Sequence, residues 1–264
     1  MILDQIDDEL LKLSVSAEEE LKDIYKDIDE VALYNSNRIL TAFIDNKVSY
    51  SDFGDINGYG NYDEGRDKLE KIFAEVLGCE ASLVRPQIMS GTNALWLAFS
   101  GLLKHGDTII SISGAPYDSL QEMIGIIGES SQSLKAHGVS YEQIELVNND
   151  FDDETIVNRL KENNVKLVEI QRSRGYSHRD SLTIAKIGRI IKKIREVNTE
   201  VIIMVDNCYG ELVEKQEPGH VGADVVVGSL MKNLGGGIAP TGGYIAGNED
   251  LIHLIAESLT APGI

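Results

Sequence analysis

Cysteine is scarce: Cys79 and Cys208 are the only two in 264 residues. They belong to no Cys-x-x-Cys pair and no Cys/His cluster. That excludes a disulfide framework or a zinc site and fits two reduced thiols in a cytoplasmic protein. Basic residues are also few, 24 Lys and Arg against 43 Asp and Glu, which leaves a net charge of −19. A field of that sign repels nucleic-acid phosphates and anionic membranes, so neither is an expected partner. No apolar run reaches the length needed to span a bilayer. The acidic start, Met1-Ile-Leu-Asp-Gln-Ile-Asp-Asp, lacks the basic stretch and apolar segment of a secretion signal. No internal repeat and no low-complexity linker interrupts the chain, so the core is expected to be one domain. Hydrophobic residues make up 42% of the chain, enough for a sizeable core.

Helical periodicity marks residues 1 to about 45: Ile6, Leu10, Leu11 and Leu13 recur between acidic residues, and a second run extends from Ala17 to Phe43. These read as arms packing on a neighbouring surface. A glycine-rich stretch, Gly54 to Gly65, reads as a loop. Beyond it, helical and strand-like segments alternate. Helices are expected over 66–76, 93–103, 119–127, 153–162 and 184–197, and strands over 108–112, 140–146, 166–170, 201–205, 224–227 and 243–246. A short apolar segment, Ala81 to Val84, precedes the second of these helices. The later strands are short, apolar and β-branched, as in strands covered by helices on both faces. The pattern predicts an α/β fold around a parallel sheet, with ligands at the carboxyl ends of its strands.

Four features lie at such ends. Ser90-Gly91-Thr92 opens a helix, where free backbone N–H groups can bind phosphate; an ordinary Ser/Thr cap is the commoner use of such residues. Tyr117 follows a Gly/Pro turn and could lay its ring over a flat ligand, or pack as a turn residue. Asp206 ends the apolar run Val201–Val205, where a carboxylate can face a pocket, pair with a protonated ring nitrogen, or simply cap the strand. A metal site is not expected there, because no His or second acid stands in a ligand pattern. Lys232 lies between the strand-like segment ending near Gly228 and the glycines Gly235–Gly237. Partial desolvation would lower its pKa and make it an amine nucleophile able to form a Schiff base; most lysines are surface residues instead. The Ser229-x-x-Lys232 spacing also matches penicillin-recognising enzymes, but no Ser-Asp-Asn or Lys-Thr-Gly triplet accompanies it. Phosphate cradle, aromatic ring, acid and lysine in this order suit one cofactor, pyridoxal 5′-phosphate (PLP).

Six segments carry a family resemblance: GYGNYDEGRDKLE (58–70), SLVRPQIMSGTNAL (82–95), ISGAPYDSLQEMIGI (112–126), EIQRSRGYSHRDSLTI (169–184), VDNCYGELVE (205–214) and VGSLMKNLGGGIAPTGGYIAG (227–247). The sequence resembles fold-type I PLP enzymes of the cystathionine synthase and lyase group, in particular the methionine gamma-lyase-related proteins often called aluminium resistance proteins. The resemblance implies a PLP-dependent transferase-like large domain over residues 51–264. It would hold a mainly parallel seven-stranded sheet with helices on both faces, preceded by a helical arm over residues 1–50. It implies Lys232 as the Schiff-base lysine and Asp206 as partner of the ring nitrogen. Tyr117 would stack on the ring, and Ser90, Gly91, Thr92 and Ser229 would hold the phosphate. In the broader group a Tyr and an Arg from a neighbouring subunit also reach the phosphate. Tyr59 matches the first, but Asn61 stands where the Arg is expected; Gln171, Arg174 and Arg66 receive no role.

The implied activity is carbon–sulfur lysis, by beta or gamma elimination on a sulfur amino acid such as cystathionine or methionine. The implied assembly is a homo-oligomer, a dimer or tetramer. A carboxyl-terminal small domain, usual in the family, is expected to be absent from this chain.

Overall fold

The computed structural model describes residues 6–54, 63–162 and 164–261. Two helices come first, α1 (Asp8–Glu20) and α2 (Lys22–Asp45). No residue of α1 is buried. Helix α2 is held at its C-terminal half, where Ala42 packs with Ile72 and Val76 of α3 (Glu64–Leu77). The Asn35 side-chain amide also donates to the carbonyls of Leu212 and Glu214, at 2.8 and 3.1 Å. The neighbouring surface that this arm packs on is therefore partly the chain's own.

Seven strands follow: β1 (Ala81–Leu83), β2 (Thr108–Ser111), β3 (Ser140–Gln143), β4 (Leu167–Gln171), β5 (Ile202–Asp206), β6 (Val225–Ser229) and β7 (Gly243–Gly247). They form one sheet in the order β1-β7-β6-β5-β4-β2-β3. All neighbours are parallel except β7, which runs antiparallel to both β1 and β6. The α/β expectation therefore holds, with one reversed strand. Residues 230–242 join β6 to β7 and carry only a short 3-10 turn, Asn233–Gly235, where a parallel crossover usually carries an α-helix.

The remaining helices are α4 (Gly91–Leu102), α5 (Asp118–Ile124), α6 (Asp153–Leu160), α7 (Ile184–Val197) and α8 (Glu249–Leu259). They cover both faces, as alternation along the central strands requires. Ile203 and Val205 of β5 join Val168 and Ile170 of β4 in the core under α6 and α7. Ile202 and Met204 face the other way, into the core shared with α4, α5 and α8. Helix α7 shows why these segments are helical. Ile184, Ile187, Ile190, Ile191 and Ile194 fall on one buried stripe, and Thr183 caps the first turn by accepting from the Lys186 N–H. Each buried isoleucine contributes about 1.5–3 kcal/mol.

Most boundaries shift by a residue or two from the sequence reading; two elements end earlier, and one helix is new. The strand beginning at Ser140 ends at Gln143, short of Leu146. Helix α5 stops before Ile127 because Gly125 takes a left-handed φ of 92°. Helix α8 has amphipathic spacing, with Ile252 and Ile255 buried, and was not anticipated. Among the described residues no helix is long and apolar enough to cross a membrane.

A candidate cofactor cleft at the carboxyl ends of the strands

Residues at the ends of β4, β5 and β6 that point toward the α4 face converge on one place. Alternation puts Gln171, Asp206 and Ser229 on the same side as Leu167, Met204 and Val227. Helix α4 begins beside them. Ser90 is its cap, with Oγ accepting from the Asn93 N–H at 3.1 Å, while the Ser90 carbonyl accepts from Ala94 at 2.9 Å. That leaves the N–H groups of Gly91 and Thr92 without a hydrogen bond among the described residues. Ser90 thus serves as the ordinary cap, and the two residues after it keep their donors. Gly91 fits closely here: a Cβ would stand 3.0 Å from the Ser229 Cβ and 3.2 Å from the Cys208 Sγ, so a larger residue would press on both.

Tyr117 enters from the start of α5. Its hydroxyl lies 3.1 Å from the Thr92 Oγ1, and its backbone N–H donates to the Gln171 Oε1 at 3.0 Å. Gln171 is itself anchored, its N–H donating to Ser113 Oγ (2.8 Å) and its Nε2 to the Ser173 carbonyl (3.1 Å). Gln171 therefore sets the position of Tyr117, a relationship its distance in sequence concealed. Burial, the largest cause, raises the Tyr117 pKa, so the hydroxyl stays protonated.

Tyr117, Asp206 and Lys232 line a cleft of about 610 Å³, together with Gln171, Arg174, Cys208 and Tyr209. Asp206 is buried, and its Oδ1 accepts from the Cys208 N–H at 3.0 Å. Burial raises its pKa; the Cys208 hydrogen bonds and the Lys232 charge oppose that rise. Burial raises the Cys208 pKa too, so this thiol is protonated at neutral pH. The expectation of a lowered pKa for Lys232 is corrected. Burial, the largest cause, disfavours its charge, but Cys208, Asp206 and Tyr209 act the other way and the net direction is upward; with the Cys208 thiol protonated, Asp206 is the charge that attracts the amine at neutral pH. The glycines after it break the helical path as expected, Gly236 and Gly237 having φ of 55° and 77°. Ser229 is buried, and its Oγ accepts from the Met231 N–H at 3.2 Å.

The sequence-selected residues that the structure describes thus fall together. Tyr59 and Asn61 lie outside the described residues. Arg66 pairs with Asp67 at 2.8 Å and lines a separate apolar cleft with Phe43, Leu69 and Ile72. Sequence reasoning missed Cys208 and Tyr209, although both lie in the same Asp206-Asn-Cys-Tyr209 segment. It also missed a buried polar group behind the cleft. Arg172 donates to Asn207 Oδ1, the Gly210 carbonyl and Glu214 Oε1, each at 2.7 Å, and its Nη1 lies 3.7 Å from Glu217 Oε2. Among the described residues, no group of three His, Cys, Asp or Glu side chains is arranged to hold a metal ion.

The chain is similar to known proteins over nearly its whole length. The methionine gamma-lyase family profile matches residues 10–264. The uncharacterized protein YnbB of Bacillus subtilis is 43% identical over 256 residues, 97% of this chain and 61% of that protein. A crystal structure from Clostridium acetobutylicum, described as a candidate cystathionine beta-lyase involved in aluminum resistance, is 44% identical with a TM-score of 0.94, covering 98% of this chain and 62% of that one. A carbon-sulfur lyase involved in aluminum resistance from Clostridium novyi NT is 42% identical with a TM-score of 0.93, covering 98% and 62%. More distant is a candidate O-acetylhomoserine (thiol)-lyase from Campylobacter jejuni, whose structure carries a pyridoxyl-lysine. It is 25% identical with a TM-score of 0.54, covering 72% of this chain and 42% of that one. This chain therefore spans a little over three-fifths of its more similar relatives, 61% and 62% of their lengths. By its sequence and by the fold it shares with them, the chain belongs to the methionine gamma-lyase family.

Proposed function

We propose that this chain is the cofactor-binding part of a PLP-dependent carbon–sulfur lyase that acts on a sulfur amino acid by beta or gamma elimination. The observation that carries the reading is the convergence of Tyr117, Asp206 and Lys232 on one cleft beside the N-terminus of α4. The donor set fits PLP. Two N–H groups, of Gly91 and Thr92, have no partner in the described structure, and the helix end adds positive potential for a phosphate. The hydroxyls of Thr92 and Ser229 lie on the same side. Tyr117 offers a ring face and Asp206 a buried carboxylate for a pyridine nitrogen, while Lys232 offers the amine for an aldehyde. PLP, when bound, supplies a sink for the electron pair left on the substrate α-carbon.

The protein side of the chemistry follows from the same residues. Burial makes isolated ionisation of Asp206 unfavourable, so a cationic partner at its carboxylate is strongly preferred and the proton on that partner is retained. With PLP bound, the neutral Lys232 amine would be placed to take the α-proton at Nζ and to return a proton to the leaving sulfur. Thr92 and Gln171 fix Tyr117 through its hydroxyl and its backbone, which restrains the ring. Arg174 faces the cleft and supplies positive charge for a substrate carboxylate. We also assign the chain to a homo-oligomer; the exposed Leu10, Leu13, Ile24 and Ile28 of the arm support that assembly.

The test is product analysis with L-cystathionine and L-methionine after loading with PLP. Release of a thiol, ammonia and a keto acid supports the lyase. A PLP adduct without turnover would reduce the chain to a binding portion of the enzyme. Racemised or transaminated product would replace elimination with another PLP reaction.

A further inference from the structure

Tyr209 stands out in the cleft wall. It is one of five non-glycine residues with positive φ among those described, at 67°. An aromatic residue held in the left-handed region is strained, and such strain persists where surrounding contacts enforce it. Those contacts are identifiable. Arg172 grips the segment on both sides of Tyr209, at Asn207 Oδ1 and at the Gly210 carbonyl. Asn233, the residue after Lys232, donates from Nδ2 to the carbonyls of Tyr209 and Glu211, at 3.0 and 3.1 Å. The lysine segment and the tyrosine segment are thus tied directly to each other. The outcome is that the Lys232 Nζ sits 4.0 Å from the centre of the Tyr209 ring, over its face. The ring gains little from burial, since Tyr209 is 59% exposed.

We propose that Tyr209 is a positioning residue for Lys232: its ring face receives the ε-ammonium whenever that amine is not covalently engaged, and keeps it inside the cleft instead of in solvent. The proposal rests on the reading of Lys232 as the PLP-binding lysine. An ammonium over an aromatic face is attracted by the ring quadrupole, more strongly where water is partly excluded. A side chain with four rotatable bonds is thereby confined near the position from which it must act. Asp206 and Cys208 also face the amine, and Tyr117, Asp118 and Arg174 line the same cleft. Asp206 is the buried anion of this group that attracts the amine, and substitutions at Tyr209 leave its carboxylate in the chain.

The experiment follows the reactivity of Lys232 toward acetic anhydride across pH, peptide by peptide, in protein freed of PLP with hydroxylamine. Tyr209→Phe keeps a ring and should reproduce the wild-type profile. Tyr209→Leu should move the midpoint down by about 0.5–1 pH unit and speed acetylation about three- to tenfold at pH values below it. Other lysines serve as internal controls and should not move. Asn233→Ala, which frees the two segments while keeping the ring, should shift Lys232 in the same direction and provides the test if Tyr209→Leu does not fold. An unchanged Lys232 profile in folded Tyr209→Leu overturns the proposal, as does a Tyr209→Phe profile that matches Leu. These results are independent of PLP: a wild-type chain that fails to bind PLP would sink the cofactor reading while leaving the ring–amine result to stand or fall alone.

Discussion

Thr92 and Tyr117, one at the start of α4 and the other at the start of α5, join hydroxyl to hydroxyl at 3.1 Å. The bond links the backbone donors assigned to a phosphate with the ring assigned to stack on the cofactor. Tyr117→Phe keeps the ring and loses the bond. At about 1 kcal/mol for such a bond, PLP affinity should fall about fivefold. Thr92→Val should cost a similar amount, and the double variant little more than either alone, because both remove one interaction. Fluorescence titration with PLP measures all three. Full additivity would show that the bond plays no part in binding.

Asp206→Asn removes the charge and keeps the shape. PLP should still bind, but elimination should slow by about 100- to 1000-fold, the usual loss when a buried electrostatic partner of the reacting group is removed. Steady-state turnover measured beside PLP binding separates the two effects. Unimpaired turnover would remove Asp206 from the chemistry.

Two buried acids make stability depend on pH. Glu169 in β4 is 1% exposed, and burial pushes its pKa up to about 8 against the opposing influence of the Ser111 hydroxyl. Burial likewise raises Glu211 to about 7. Both values lie above the ordinary glutamate value, so between them and about pH 4.5 the folded chain binds more protons than the unfolded one. Their contribution is complete below about pH 4.5 and is lost as pH rises through 7 and 8. Melting temperatures should fall over that window, and Glu169→Gln should flatten the fall, melting about 2–4 °C above wild type at pH 9. A parallel decline in the variant would contradict the assignment.

Arg172 is 2% exposed and holds Asn207, Gly210 and Glu214. Arg172→Ala should lower stability by about 3–5 kcal/mol, since Glu217 would be left buried beside the vacated position. Urea denaturation reads this directly. A loss below about 1 kcal/mol would show that the network is not structural.

The alternation of helices and β-branched strands was legible because each central strand is covered on both faces, and burial then writes itself into composition. Asp206 and Lys232 were legible for a related reason: a charge directly after a buried strand or before a glycine run is costly unless it is used. The reversal of β7 was not legible, since strand direction leaves no periodicity behind. Nor was the pairing of Gln171 with Tyr117, which depends on β4 lying beside β2, a fact of sheet order. The raised pKa of Lys232 escaped because its burial was visible in the sequence, while the Cys208 and Asp206 groups that oppose burial are brought to it only by the fold.

The central claim is that Lys232 is the amine that holds PLP. Incubation with PLP, reduction with borohydride and peptide mass spectrometry test it most directly. The account predicts a pyridoxyl mass increment on the peptide containing Lys232, and its loss in a folded Lys232→Ala variant. A label on another lysine, or none on folded protein, would contradict it.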